Sequence, residues 1–215
     1  MRGDQWWENG GKASQRPYPV VSAAVGPYGA YLADGSEYRG GYSIGKEELK
    51  NFHRRRMELL LEAGAEILAI ETIPSLEEAV SLAELTAELG ADCWISFSCK
   101  NSTDISEGTK IEDCAKALND FDCVKAVGIN CTAPQFVESL IKEVKKGTAK
   151  PVIVYPNSGE HYDPVTKTWH GDKSGKTYGD WAEEWLKSGA EIIGGCCRTT
   201  PANIREVSDL VNKNK

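Results

Sequence analysis

Three of the seven cysteines stand where strand-like apolar runs end. Cys131 closes the run 126–131, and Cys196 and Cys197 follow directly on the run 191–195. Thiolates are soft ligands that suit zinc. A structural zinc normally takes four protein ligands, whereas three leave a position for water or substrate. A thiol bound to zinc is held as thiolate at neutral pH, so such a site would activate a thiol nucleophile supplied by a substrate. A vicinal disulfide or redox pair at Cys196-Cys197 is the competing reading, and spacing alone leaves both open.

Successive strand side chains point to opposite sides. Adjacent cysteines can therefore face one metal only if the strand breaks there. Gly194-Gly195 is expected to supply the backbone freedom for that break, and Pro201 to fix the exit. Cys93, Cys99, Cys114 and Cys123 read as small core residues. His53 reads as a helix-surface residue, and His161 and His170 as loop residues. None of the histidines has metal-binding spacing.

The elements that must position these groups alternate in type. Strand-length apolar runs lie at 20–25, 67–70, 93–98, 126–131, 152–155 and 191–195. Helical patterns follow at about 46–63, from Pro74-Ser75, at 111–118, from Pro134, at 178–187 and from Pro201. Ser75 with Glu78 has the spacing of a capping box, and Pro134 suits a first helical turn. A polar, Gly-rich loop is expected between Tyr155 and about Gly175. Alternation of this kind gives parallel pairing with right-handed crossovers. Both an open doubly wound sheet and a (β/α)₈ barrel fit. No Gly-rich phosphate loop follows the first strand, and the candidate groups lie just past strand ends, where a barrel carries its active site. Six strand-helix units are legible where a closed barrel has eight.

The 25 basic and 32 acidic residues give a net charge of −7. That argues against nucleic acid as a main partner, because phosphate contact needs a basic face. There is no apolar run of membrane-spanning length, and Met1 to Glu8 lacks the apolar stretch of a secretory signal. An odd number of cysteines in a chain of 215 residues suits a reducing, cytoplasmic location.

The segments Gly128-Ile129-Asn130-Cys131-Thr132-Ala133-Pro134 and Gly194-Gly195-Cys196-Cys197-Arg198-Thr199-Thr200-Pro201 resemble the two zinc motifs of the homocysteine S-methyltransferase family. Val25 to Leu32, Ala69 to Pro74 and Val154 to Glu160 are similar to it as well. The resemblance is to the plant-like branch that uses S-methylmethionine, with S-adenosylmethionine as a second donor. It implies an α/β fold of the (β/α)₈ TIM-barrel type, and Zn²⁺ held by Cys131, Cys196 and Cys197. It also implies methyl transfer to the thiol of homocysteine, giving methionine. No catalytic group is implied beyond the zinc-activated substrate thiol. Glu71 would bind the substrate amino group, Asn130 would orient a ligand or the substrate, and Tyr155, Glu160 and Trp169 would lie near the sulfonium donor.

Family members open on a strand bearing an Asp-Gly-Gly motif, followed by a second strand-helix unit. This sequence enters the pattern in the helix before the third strand, at Trp6-Trp7-Glu8. The expectation is one domain over residues 1–215, N-terminally incomplete, with about six of eight units. A second expectation follows: a truncated, non-catalytic zinc-binding relative that regulates or pairs with a full-length chain.

Overall fold

In a computed structural model, residues 7–8, 18–163, 168–171 and 174–213 are described. The chain runs β1 (Ser22–Val25), α1 (Tyr28–Leu32), a 3₁₀ turn (Ser36–Tyr38), α2 (Lys46–Glu62), β2 (Ile67–Ile73), α3 (Leu76–Glu88), β3 (Cys93–Phe97), α4 (Ile111–Leu118), β4 (Val124–Asn130) and α5 (Pro134–Gly147). It continues through β5 (Val152–Tyr155), β6 (Glu160–Asp163), β7 (Thr168–Gly171), α6 (Tyr178–Ser188), β8 (Ile192–Ile193) and α7 (Pro201–Lys213).

Six strands pair in parallel in the order β1-β2-β3-β4-β5-β8. A doubly wound sheet reverses its strand order at a switch point. This sheet never reverses: each new strand is added on the same side, as in a barrel. The arrangement is that of a (β/α)₈ barrel over six of its units, and among the described residues β1 and β8 are the sheet's edges.

Two rows of side chains follow from the register. Ile70, Ile95, Val127 and Val152 are partners across four strands and are almost wholly buried. With Phe97, Ile129 and Val154 they form the core under the helices. Each such side chain contributes about 1.5–3 kcal/mol on burial. The alternate row carries Ser96, Gly128 and Ile153 in register, then Asn130 beside Tyr155. By strand alternation this row faces away from the helices, and it holds the polar groups.

Four details differ from expectation. The stretch after β5 is not all loop: β6 and β7 form an antiparallel ribbon in which His161 pairs with His170 and Tyr162 with Trp169. The strand before the cysteine pair is shorter, ending at Ile193. Ser75 makes no side-chain cap bond; Glu78 is drawn off by long-range partners, and Glu107 accepts the α3 bond from Leu76 N at 2.8 Å instead. His53 is not on the surface.

His53 is 0% exposed, and its Nε2 meets Glu78 Oε1 at 2.8 Å with Glu78 equally buried. Tyr28 N also donates to Glu78 Oε1 at 2.6 Å, and Arg56 donates to Gly26 O at 2.8 Å. The pair therefore holds the β1–α1 connection against α2 and α3. Removing one member of a buried pair strands the other. His53→Ala is expected to lose about 3–5 kcal/mol of stability, read from urea denaturation. A loss below about 1 kcal/mol, the range of exposed pairs, would contradict the buried pairing. No helix among the described residues is long and apolar enough to cross a membrane.

Candidate metal centre

Cys131 is the first residue past β4 and adopts φ 46°. Left-handed backbone is rare for a residue with a side chain, so something must hold it. Thr132, 2% exposed, does part of this. Its hydroxyl donates to Asn130 O at 2.9 Å and accepts from Cys99 N at 3.0 Å. Pro134 then opens α5 as expected, at its first turn.

Cys196 and Cys197 lie in a turn beyond β8. Cys196 N donates to Pro156 O at 3.0 Å, and Thr199 N returns to Cys196 O at 3.1 Å. Arg198, at φ 66°, carries the left-handed step. Gly194 and Gly195 are not in that region, which corrects the expected role of the glycine pair. Gly195 is needed for space instead, because a Cβ there would come within 2.4 Å of Thr199 Oγ1. Tyr178 OH pins the segment by donating to Gly194 O at 2.8 Å.

The loop after β5 joins the two halves. Asn157 N donates to Thr132 O and Ser158 N to Cys197 O, both at 3.1 Å. One short segment thus bridges the Cys131 turn and the Cys196-Cys197 turn. The sulfurs lie 2.8 Å apart for Cys131–Cys196, 3.8 Å for Cys131–Cys197 and 3.9 Å for Cys196–Cys197. All three ligand atoms fall within 4.8 Å of one another.

This donor set fits zinc. Tetrahedral geometry with Zn–S near 2.3 Å places sulfurs about 3.8 Å apart, and two of the three separations have that value. Hydrogen bonds from Cys131 and Cys196 hold the Cys197 thiol down at about 3, while the same contacts raise Cys131. Three sulfurs so placed cannot all ionise without a cation between them.

Glu71 and Thr72 lie near the end of β2, and Thr72 takes φ 62°. Asn130 fixes that bend: its Oδ1 accepts from Thr72 N at 2.7 Å and from Ser96 Oγ at 2.8 Å, and its Nδ2 donates to Thr72 Oγ1 at 2.8 Å. At 1% exposure, Asn130 ties together β2, β3 and β4. Tyr155 OH accepts from Trp94 Nε1 at 3.0 Å and meets Ser96 Oγ at 2.5 Å. Burial raises the Glu71 carboxyl, a hydrogen bond with Tyr155 lowers it in part, and the nearby Cys196 raises it further. Glu160 opens β6 by its backbone; its side chain and that of Trp169 fall outside the described residues, as does Trp6.

Residues 6–211 match the family model of homocysteine S-methyltransferase. The chain belongs to the homocysteine S-methyltransferase family. It is 53% identical to homocysteine S-methyltransferase YbgG of Bacillus subtilis, over 95% of this chain and 65% of that protein. Identity to homocysteine S-methyltransferase 3 of Arabidopsis thaliana is 45%, over 94% of this chain and 60% of that one. The crystal structure of the metallated homocysteine methyltransferase MmuM from Escherichia coli superposes with a TM-score of 0.82 at 38% identity, covering 96% of this chain and 66% of that one. The chain thus spans 60–66% of the length of these family members.

The family motifs contained most of the groups described above, yet four site residues escaped sequence reading. Ser96 was legible in principle, as a polar residue in an otherwise apolar strand. Thr72 and Thr132 neighbour recognised residues. Tyr38, whose hydroxyl is raised by burial first and by the charge of Cys131 and Cys197 next, lies far away in sequence and gave no signal.

Proposed function

We propose that this chain carries the zinc centre and acceptor site of a homocysteine S-methyltransferase domain spanning residues 1–215, moving a methyl group from S-methylmethionine or S-adenosylmethionine to homocysteine and giving methionine. The observation that carries this reading is the convergence of Cys131, Cys196 and Cys197 within 4.8 Å. Zinc held by these three would keep a substrate thiol as thiolate at neutral pH.

The remaining work falls to the protein. Glu71, steadied by Tyr155, receives the ammonium of homocysteine. Asn130 is a positioning residue that keeps the Thr72 bend and the Cys131 turn in fixed relation. Glu160, at the head of the β6–β7 ribbon, stands on the donor side. The acceptor sulfur attacks the methyl carbon in line with the donor's C–S bond, whose electron pair stays with the departing sulfur. The donor leaves as a neutral thioether.

Labelled-methyl transfer tests this. The zinc-loaded chain is expected to form labelled methionine from homocysteine and S-methylmethionine, and to lose that activity on chelation. Undiminished turnover in metal-free protein would remove the reading. Among the described residues β1 and β8 are the edges of the sheet, and this favours a second reading, a zinc-binding chain that pairs with a longer relative. It gives bound zinc, no turnover alone, and co-elution with that relative.

A further inference from the structure

Two cysteines outside the metal centre share one patch of the fold. Cys93 opens β3, and Cys123 is the residue before β4. Both stand at strand starts, whereas Cys131 follows the end of β4, about 25 Å away along that strand. Cys93 N donates to Cys123 O at 2.9 Å. Covalent geometry on either side of that bond keeps the two Cα atoms within about 6.8 Å, and a disulfide spans Cα separations of about 4.4–6.8 Å. The side chains also point the same way. Cys93 alternates with Ile95 and Phe97 and is buried in the same cluster under the helices. Cys123 Sγ donates to Ala83 O of α3 at 3.4 Å. The Cys93 thiol meets Cys123 itself and Thr86, one turn further along α3.

We propose that Cys123 and Cys93 form an oxidisable dithiol, in which Cys123 reacts with a peroxide and Cys93 resolves the product to a disulfide. Access sets the order. Cys123 is 9% exposed and lines a surface hollow of about 450 Å³, while Cys93 is 0% exposed behind it. Reactivity follows the same order, because the thiolate is the nucleophile. A hydrogen bond from Cys93 holds the Cys123 thiol down at about 7 against burial, and the same bond, with burial, raises Cys93.

The hollow selects the oxidant. Asp92, Asp120 and Asp122 line it, and its Lys125 is already paired with Asp92 at 3.1 Å. An acidic rim repels anionic oxidants such as glutathione-type disulfides and admits small, neutral hydrogen peroxide. The Cys123 thiolate attacks one peroxide oxygen. The S–O bond forms, the O–O bond breaks, and the hydroxide released takes a proton from solvent to become water. Cys123 is now a sulfenic acid, oxidised as the peroxide is reduced. Cys93 sulfur then attacks Cys123 sulfur. The S–S bond forms, the S–O bond breaks, and hydroxide leaves with the Cys93 proton as a second water.

The test is thiol mapping of the zinc-loaded chain after treatment with hydrogen peroxide. Free thiols are blocked with an alkylating agent, and the chain is cut with chymotrypsin, because Trp94 and Phe97 separate Cys93 from Cys99. Mass spectrometry is expected to find one peptide pair joined through Cys93 and Cys123, lighter by two hydrogens and restored by dithiothreitol. Cys114, 0% exposed and raised by burial, is the internal control, and Cys123 is expected to react at least about tenfold faster. In Cys93→Ser, Cys123 is expected to stop at the sulfenic acid and be trapped by dimedone. In Cys123→Ser, Cys93 is expected to stay reduced. Thermal midpoints confirm that the variants are folded, and the mapping of the unaltered chain needs no variant. Recovery of both residues as free thiols overturns the proposal, as does a bridge from Cys123 to any cysteine other than Cys93.

Discussion

Cys196→Ala is expected to reduce bound zinc from about one per chain to near none and to lower methyl transfer by more than about 100-fold. Cys196 is one corner of the sulfur triangle, 2.8 Å from Cys131 and 3.9 Å from Cys197. Its loss leaves two sulfurs from opposite turns, and two thiolates do not fill a tetrahedral site. Outer-shell partners of metal ligands already cost 10–100-fold in affinity or activity, and a ligand itself must cost more. Cys114→Ala is the matched control. Cys114 is also a free cysteine but is 0% exposed in the core beneath α4, so its loss is expected to lower stability by about 1–2 kcal/mol with zinc retained. Metal analysis of both variants beside a denaturation curve separates the cases. Full zinc in Cys196→Ala would falsify the three-cysteine centre.

The contrast between those cysteines was visible before any coordinates, because burial and strand-end position separate them in the sequence. The parallel strands were legible for the same reason. With both faces covered they read as continuous apolar runs, and β5 and α4 have their expected bounds. The β6–β7 ribbon lies apart from the main sheet and lacks such a run, so its backbone pairing left little pattern. Local motifs failed where distant partners competed. Ser75 and Glu78 have capping-box spacing, yet Glu78 is drawn to His53 and Tyr28 from other elements. His53 itself follows Leu49 by four residues and precedes Met57 by four, and all three are buried on one face of α2. Its polarity, taken alone, outweighed that periodicity. The Asn130 network was invisible because its partners, Thr72 and Ser96, come from elements dozens of residues away.

Gly128→Ala is expected to destabilise the chain by more than about 4 kcal/mol, beyond the ordinary range for one substitution. Gly128 pairs with Ile153 across the β4–β5 ladder, and a Cβ on it would lie 1.6 Å from Ile153 O and 2.6 Å from Ile153 C. Those are backbone atoms, so no rotamer change relieves the contact and the strands must part. The consequence reaches the metal centre, because Cys131 lies three residues beyond Gly128 and is held to the Cys197 turn through Thr132, Asn157 and Ser158. Any fraction of Gly128→Ala that folds is therefore expected to bind zinc poorly. Gly26→Ala provides the comparison. Nothing lies within 4 Å of a Cβ at Gly26, its φ is outside the left-handed region, and its carbonyl bond to Arg56 survives the change. That variant is expected to stay within about 1 kcal/mol of the parent, with zinc intact. Urea denaturation and metal content, measured on both, decide the matter. A Gly128→Ala chain as stable as Gly26→Ala would mean that close approach of β4 and β5 does not set the distance between the two cysteine turns.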